Sequence, residues 1–147
     1  MRKKMFIVLL AMMIIFALAS SLYAQETDPA KVVTAMADAL SAGDIEATMA
    51  LFTDDAIFSD YIGKEQIRLF MEDLIANNFK IQIEILEVLG DIVVTRSKTW
   101  HDKSRQFGIA PLEYIEIYPI QDGKLKGFIS IATDESVAKM KDALAPK

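Results

Sequence analysis

Three acidic side chains lie close together in the stretch LFTDDAIFSDYIG, residues 51–63, and could take part in proton transfer. Asp54 and Asp55 follow a short predicted helix, where aspartate side chains commonly satisfy nearby backbone donors. Asp60 stands between an apolar strand and a predicted helix start at Gly63. If Asp60 faces a cavity, its removal from water would make it a stronger base, suited to abstract a proton. The alternative is that Asp60 caps the helix or the turn before it.

A further carboxylate, Glu116, lies in the alternating sequence YIEIY. Because side chains on a strand alternate between its faces, Tyr114, Glu116 and Tyr118 share one face. Ile115 and Ile117 share the other. In one interpretation the isoleucines belong to the core and Glu116 meets solvent. In the other, Glu116 faces an internal cavity, and the isoleucines form an outer apolar face that needs a partner.

The sequence TWHD, residues 99–102, holds the single histidine and the single tryptophan of the chain. With one histidine and no cysteine, no zinc site is expected. No glycine-rich phosphate loop or nucleophile motif is present, so no cofactor is expected either. His101 ends a predicted strand and could line a pocket mouth, where Trp100 could form an aromatic wall for an apolar ligand. A lone tryptophan is more often an ordinary packed residue.

The first 24 residues have the layout of a secretory signal peptide. A basic start at residues 2–4 precedes 15 unbroken apolar residues, 5–19, and the sequence SSLYA then offers Ala24 as the residue before a cleavage site. The alternative is an uncleaved membrane anchor, because residues 5–24 match a bilayer span of about 20 residues. We predict a signal peptide at residues 1–24 and one secreted or periplasmic domain at residues 25–147.

Charge and cysteine content narrow the classes of partner and of fold. Without residues 1–24 the chain has 13 basic and 21 acidic residues, a net charge of −8. So acidic a domain repels phosphate backbones, and we expect no nucleic-acid partner. The absence of cysteine rules out disulfides, so an ordinary hydrophobic core must hold the domain together.

The predicted elements change from helices to strands halfway along the chain. Helical spacing of apolar residues, preceded by capping aspartates Asp28 and Asp44, predicts helices in the first half. Alternation and turn signals such as Gly90-Asp91 and Asp122-Gly123 predict antiparallel strands in the second. This order indicates an α+β fold, with helices packed on one face of a curved, mostly antiparallel sheet around a central pocket. The predicted helices are 29–42, 45–52, 64–77 and one after Asp134; the strands are 56–59, 80–85, 92–101, 112–120 and 125–132.

Two stretches resemble a known family. The sequence GDIEATMALFTDDAIFSD, residues 43–60, followed by GKEQIRLF, residues 63–70, is similar to the front half of the nuclear transport factor 2-like superfamily. Within it, the pattern is most similar to SnoaL-like polyketide cyclases and ketosteroid isomerases. The sequence YIEIYPIQDGKLKGF, residues 114–128, resembles the last two strands of that family. The resemblance covers residues 29–133 and implies a cone-shaped domain with a deep pocket, often dimeric through the open face of its sheet.

The resemblance also implies roles for individual residues. Asp60 stands where ketosteroid isomerases have their general base, and Glu116 where an acid donates a hydrogen bond to the oxyanion. Met36 takes the place of a tyrosine that is the second oxyanion donor, and it cannot donate. Ser130 takes the place of the catalytic aspartate of SnoaL-like cyclases. The residues expected to bind ligand are Met36, Phe58, Trp100, His101, Tyr114, Phe128 and Ser130.

Three functions are compatible with these patterns. The favoured one is an exported domain that binds a small apolar molecule, because loss of an oxyanion donor typically lowers a rate about 10²–10³-fold. The second is a cofactor-independent proton-transfer enzyme, an isomerase, cyclase or hydrolase, with Asp60 as base and Glu116 as oxyanion donor. The third is a protein-interaction module, a homodimer whose pocket is filled by its own side chains.

Overall fold

The computed structural model describes residues 28–145, so the predicted signal peptide lies outside the described residues. The described chain begins with three helices interrupted by a short hairpin and continues mainly as strands. The elements in chain order are α1 (Pro29–Ala42), α2 (Ile45–Ala50), β1 (Phe52–Phe58), β2 (Tyr61–Ile62), α3 (Lys64–Ala76), β3 (Lys80–Leu89), β4 (Ile92–Trp100), α4 (Asp102–Gln106), β5 (Leu112–Gln121), β6 (Lys124–Gly127), β7 (Ile129–Ala132) and α5 (Asp134–Leu144).

The first two helices begin at the residues that the sequence indicates, and α1 also ends there, whereas α2 ends at Ala50, two residues before the predicted end. The Asp28 carboxylate accepts a hydrogen bond from the Ala30 backbone N–H at 3.0 Å, and Pro29 occupies the first helical position. Gly43 ends α1 in the left-handed conformation, at a φ of 77°. Asp44 then caps α2 by accepting from the Ala47 N–H at 2.9 Å. These local hydrogen bonds explain why the helix ends could be predicted without tertiary information.

The strands form one mixed, mostly antiparallel sheet in the order β2-β1-β6-β5-β4-β3, with β7 also paired to β5. Only the β1–β6 pair is parallel among the described strands. Helices α1 and α3 pack on the sheet through buried residues such as Val33, Met36 and Ile67. The α+β class and the helix-covered, curved sheet are therefore confirmed.

Several local features differ from the prediction, and β3 also extends to Leu89, beyond the predicted residues 80–85. Strand β1 begins at Phe52, so Asp54 and Asp55 lie on an exposed part of a strand whose register shifts, not at a helix exit. The predicted polar loop contains the short helix α4. The predicted last strand is two strands, β6 and β7, separated where Gly127 adopts a φ of 146°. Thr133, not Asp134, caps α5.

Candidate functional site

Glu116 points into the space between the sheet and the helices. Its position in the middle of β5 places it on the same face as Tyr118, and both are buried, with Glu116 only 5% exposed. The neighbours Ile115 and Ile117 face outward. The structure thus selects the second interpretation of YIEIY, in which the carboxylate is internal.

Two hydroxyl groups donate hydrogen bonds to the Glu116 carboxylate. Tyr118 Oη donates to Oε2 at 2.7 Å, and Ser130 Oγ donates to Oε1 at 3.3 Å. Ser130 reaches it because β7 pairs with β5 in the register that sets Ser130 opposite Glu116. Burial raises the pKa of Glu116, while its interactions with Tyr118, Ser97 and Ser130 oppose that rise. Burial and the adjacent carboxylate together raise the pKa of Tyr118 well above 10.0.

Strand β4 places further hydroxyl groups behind this carboxylate. Thr95 lies directly opposite Glu116 in the β4–β5 ladder, and Ser97 follows on the same face. Both residues are fully buried, and neither side-chain oxygen makes a hydrogen bond of good geometry within residues 28–145. Ser97 nevertheless lies near enough to favour the ionised form of Glu116. The surroundings of the carboxylate are thus rich in hydroxyl donors and, in the described part of the chain, contain no basic side chain that bonds to it.

A cavity of about 220 Å³ opens in front of Glu116. Helices α1 and α3 form one wall, and the inward faces of the strands form the other. Its surface is mainly apolar, with a few polar groups, as is usual for sites that bind small molecules. The lining residues are Met36, Leu40, Phe58, Phe70, Met71, Leu74, Phe79, Ile81, Thr99, His101, Tyr114, Glu116, Tyr118, Phe128 and Ser130.

Stacked aromatic rings form the wall nearest to Tyr118. The rings of Phe58 and Phe128 are almost parallel, with centroids 3.8 Å apart and an interplanar angle of 12°. Phe70 and Tyr118 extend the stack, at 5.0 Å from Phe58 and 5.7 Å from Phe128. This close approach of β1 and β6 requires glycine at residue 127, because a Cβ there would lie 1.9 Å from the carbonyl oxygen of Ile57.

His101 lines the cavity where β4 ends, and it is also the N-cap of α4. Its Nδ1 accepts a hydrogen bond from the Ser104 backbone N–H at 3.3 Å, and the Ser104 Oγ accepts one from the His101 N–H at 3.1 Å. Burial lowers the pKa of His101, and the nearby cations Arg105 and Lys103 lower it further. The imidazole is therefore held neutral near physiological pH.

Seven of the nine predicted site residues line this one cavity. They come from five different elements or their ends, which the fold brings together over large distances in sequence. The seven are Met36, Phe58, His101, Tyr114, Glu116, Phe128 and Ser130.

Asp60 does not line the cavity, and the prediction that it faces a pocket is wrong. It lies exposed in the two-residue turn between β1 and β2, where Ser59 has a positive φ of 51°. Asp60 does not cap α3 either, because that helix begins at Lys64, after Gly63, without a side-chain cap; Asp60 lies in the turn that precedes the helix. The tight turn pairs Phe58 with Tyr61, which leaves the two residues between them at the tip, away from the core.

Trp100 does not line the cavity either. Inward-facing residues of β4 are the odd-numbered ones, ending with the buried Thr99, so Trp100 projects to the opposite face and is half-buried there. Half of the cavity-lining residues that were not proposed from the sequence lie on helices. Phe70, Met71 and Leu74 share the apolar face predicted for α3, and that helical spacing was the signal for them.

Residues 28–145 contain no cluster of three or more potential metal ligands. Within the same described range, no helix is both long enough and apolar enough to span a bilayer.

Comparisons with known proteins identify the fold family. A protein named as a SnoaL-like polyketide cyclase from Jannaschia sp. CCS1 superposes with a TM-score of 0.62 and 20% identity, covering 84% of this chain and 96% of that chain. An NTF2-like protein of unknown function from Cytophaga hutchinsonii gives 0.62 and 12% identity, covering 78% of this chain and 98% of that one. An LEH-like epoxide hydrolase from M. tuberculosis gives 0.56 and 14% identity, covering 80% and 90%. At these identities the likeness concerns the fold alone.

No curated protein sequence matches the chain closely enough to count as a relative. The sequence model of the SnoaL-like domain, however, matches residues 33–128. That match covers well over half of the chain, and it includes β1, α3 and the strands β4 and β5, which carry Thr95, Ser97, Glu116 and Tyr118. The protein therefore belongs to the SnoaL-like domain family, within the NTF2-like fold.

Proposed function

We propose that this domain binds a small, mainly apolar molecule in the cavity in front of Glu116. The observation that carries the proposal is a single buried carboxyl group at the wall of a mainly apolar space. An apolar ligand would bury its body against the aromatic stack, and one polar group of the ligand would meet Glu116. Because burial raises the pKa of this carboxyl, its protonated form can donate a hydrogen bond to a carbonyl or hydroxyl oxygen.

The size of the cavity limits the ligand. A volume of about 220 Å³ corresponds to roughly seven water-sized groups at about 30 Å³ each. A single ring or a chain of about seven carbons fits this space. Binding is favoured over the interaction-module alternative because Tyr118 and Phe128 form part of the wall without filling the space.

The enzyme alternative lacks the groups that it needs. Its general base, Asp60, lies outside the cavity, and its second oxyanion donor is replaced by Met36, which has no hydrogen to donate. Glu116 remains as an acid without a carboxylate base opposite it in the cavity lining. We therefore favour ligand binding over proton-transfer catalysis.

Native mass spectrometry of protein purified from its natural envelope fraction tests the proposal without assuming a ligand. We expect a bound small molecule that is released on denaturation. The variant Leu74→Trp places an indole in the cavity, since Leu74 lines it from α3, and should abolish the bound mass. Leu69→Trp is the matched control on the same helix, because Leu69 is 66% exposed and outside the lining. Identical spectra for both variants would contradict the proposal.

Export of the domain is part of the proposal and rests on the sequence of residues 1–24. We expect the mature protein to begin at Gln25 and to appear outside the cytoplasm. The intact mass of the protein recovered from each cell fraction decides between cleavage after Ala24 and an uncleaved anchor.

The inward orientation of Glu116 leaves an apolar outer face on the sheet. Ile129 and Ile131 are 57% and 53% exposed there, and they lie opposite Ile117 and Ile115. We propose that a second copy covers this face, forming a homodimer. Light scattering at increasing concentration tests it: wild type should show a dimer mass and Ile131→Lys a monomer mass. A monomeric wild-type protein at all concentrations would contradict the dimer.

A further inference from the structure

The hydrogen bond at Nδ1 of His101 determines which ring nitrogen carries the proton. Nδ1 accepts from the Ser104 backbone N–H, so it presents a lone pair to α4. In a neutral imidazole the other nitrogen must then be protonated, because the two nitrogens divide one hydrogen between them. The ring is consequently fixed as the Nε2–H tautomer, with Nε2 as its remaining donor.

The Nε2–H group has no hydrogen-bond partner within residues 28–145. The reciprocal cap holds the backbone and Nδ1 of His101 on the α4 side, while the residue contributes to the cavity lining. A donor fixed in this way is available to a ligand without losing any bond to the protein. A side chain that served only as a helix cap would not need a second nitrogen, since asparagine or serine caps equally well.

His101 and Glu116 lie toward different ends of the same cavity. Glu116 is paired with Thr95 in the β4–β5 ladder. His101 follows Thr95 by six residues, which places their Cα atoms at most roughly 20 Å apart along an extended strand. Both side chains extend several ångströms from their Cα atoms, and both line the cavity. The surface between the two polar groups is mainly apolar, contributed by residues such as Met36, Met71 and Tyr114.

We propose that His101 is the second polar contact of the site and that the ligand carries an acceptor oxygen at each end of an apolar body. The inference rests on the proposed function and adds the chemical class: a compact molecule with two carbonyl, ether or hydroxyl oxygens rather than a hydrocarbon or a molecule with one polar end. One acceptor oxygen accepts a hydrogen bond from the protonated carboxyl group of Glu116, and the other accepts one from the Nε2–H of His101.

The single histidine makes the test direct, because nitrogen NMR of tag-free protein shows one imidazole only. We expect the spectrum of the Nε2–H tautomer in the free protein. The probes are a linear methyl ketone and the matching diketone with a carbonyl near each end, both of about seven carbons. The diketone should bind about threefold to tenfold more tightly, the range expected for one additional hydrogen bond, and should shift the Nε2 resonance.

The variant His101→Asn separates ligand binding from helix capping. The Asn side-chain oxygen can accept the Ser104 N–H in place of Nδ1, while the variant lacks the Nε2 group. We expect it to remain folded, to bind the diketone more weakly than the wild type does, and to lose the preference for the diketone over the monoketone.

The outcomes distinguish the two proposals. Equal affinity of the wild type for both ketones, or an Nδ1–H tautomer, overturns the role of His101 and leaves the cavity as a binding site. Failure of the wild type to bind either ketone counts against the proposed function itself. The wild-type spectra and affinities do not depend on whether the variant folds.

Discussion

Replacing Gly127 with alanine should force apart the two strands that carry the aromatic wall. A Cβ at residue 127 would lie 1.9 Å from the carbonyl oxygen of Ile57 and 2.9 Å from its carbonyl carbon. The φ of 146° at this position is itself rarely adopted by residues with a side chain. Strand β6 must therefore move, and the hydrogen bond from the Phe128 N–H to the Ile57 oxygen, now 3.3 Å, must lengthen.

The magnitude follows from the contacts that change. Backbone strain contributes about 1–3 kcal/mol. The weakened hydrogen bond contributes about 0.5–1.5 kcal/mol. Separation of the Phe58 and Phe128 rings, now 3.8 Å apart, contributes about 0.5–1.5 kcal/mol. We expect the free energy of unfolding to fall by about 2–6 kcal/mol, a large part of the 5–15 kcal/mol typical of a domain.

Urea unfolding followed by circular dichroism measures this change. Gly90→Ala is the matched control, because Gly90 also has a positive φ, 59°, but no atom lies within 4 Å of an added Cβ. That substitution should cost only the left-handed backbone strain, about 1–2 kcal/mol. If the two variants lose the same stability within about 1 kcal/mol, the contact with Ile57 does not restrict residue 127, and the explanation of the close β1–β6 approach is refuted.

Three further predictions concern the cavity. Because burial raises the pKa of Glu116 above 4.5 in the folded state, its contribution to stability is full below that pH and is lost as pH rises through the raised value. Glu116→Gln should remove this decline, which urea midpoints between about pH 4 and pH 8 would show; an equally steep decline in the variant would contradict it. Tyr118→Phe deletes the donor to Oε2 and should raise the pKa of Glu116 further, as measured by carboxyl NMR, whereas Tyr114→Phe, which removes no bond to Glu116, should leave it nearly unchanged. Asp60→Asn should leave the affinity for the ketones unaltered, because Asp60 is exposed and outside the cavity lining. A loss of affinity measured by calorimetry would show that Asp60 contributes to ligand binding.

Local features of the fold could be predicted from the sequence because short-range physics determines them. Asp28 and Asp44 cap helices through bonds to backbone groups two and three residues away. Asp122 and Gly123 both have positive φ in the turn between β5 and β6, as their residue types indicate. The period-two sequence of β5 likewise established that Tyr114, Glu116 and Tyr118 share a face.

Long-range features could not be predicted, because they depend on how separate elements pack. The alternation of β5 left both faces eligible for the core, since each carries large side chains. Packing of α1 and α3 on the sheet decided that the Glu116 face is internal. The same packing leaves Asp60, which the sequence predicted as the general base, at an exposed hairpin tip.

The sequence by itself determined the family, the order of helices and strands, and seven of the residues that meet at the cavity, because periodicity and motif similarity are encoded locally. Only the tertiary structure decided which carboxylate is buried and which histidine nitrogen carries the proton. Burial of Glu116 depends on strand and helix packing, and the tautomer of His101 depends on a bond to the first turn of α4. Neither property belongs to a residue in isolation.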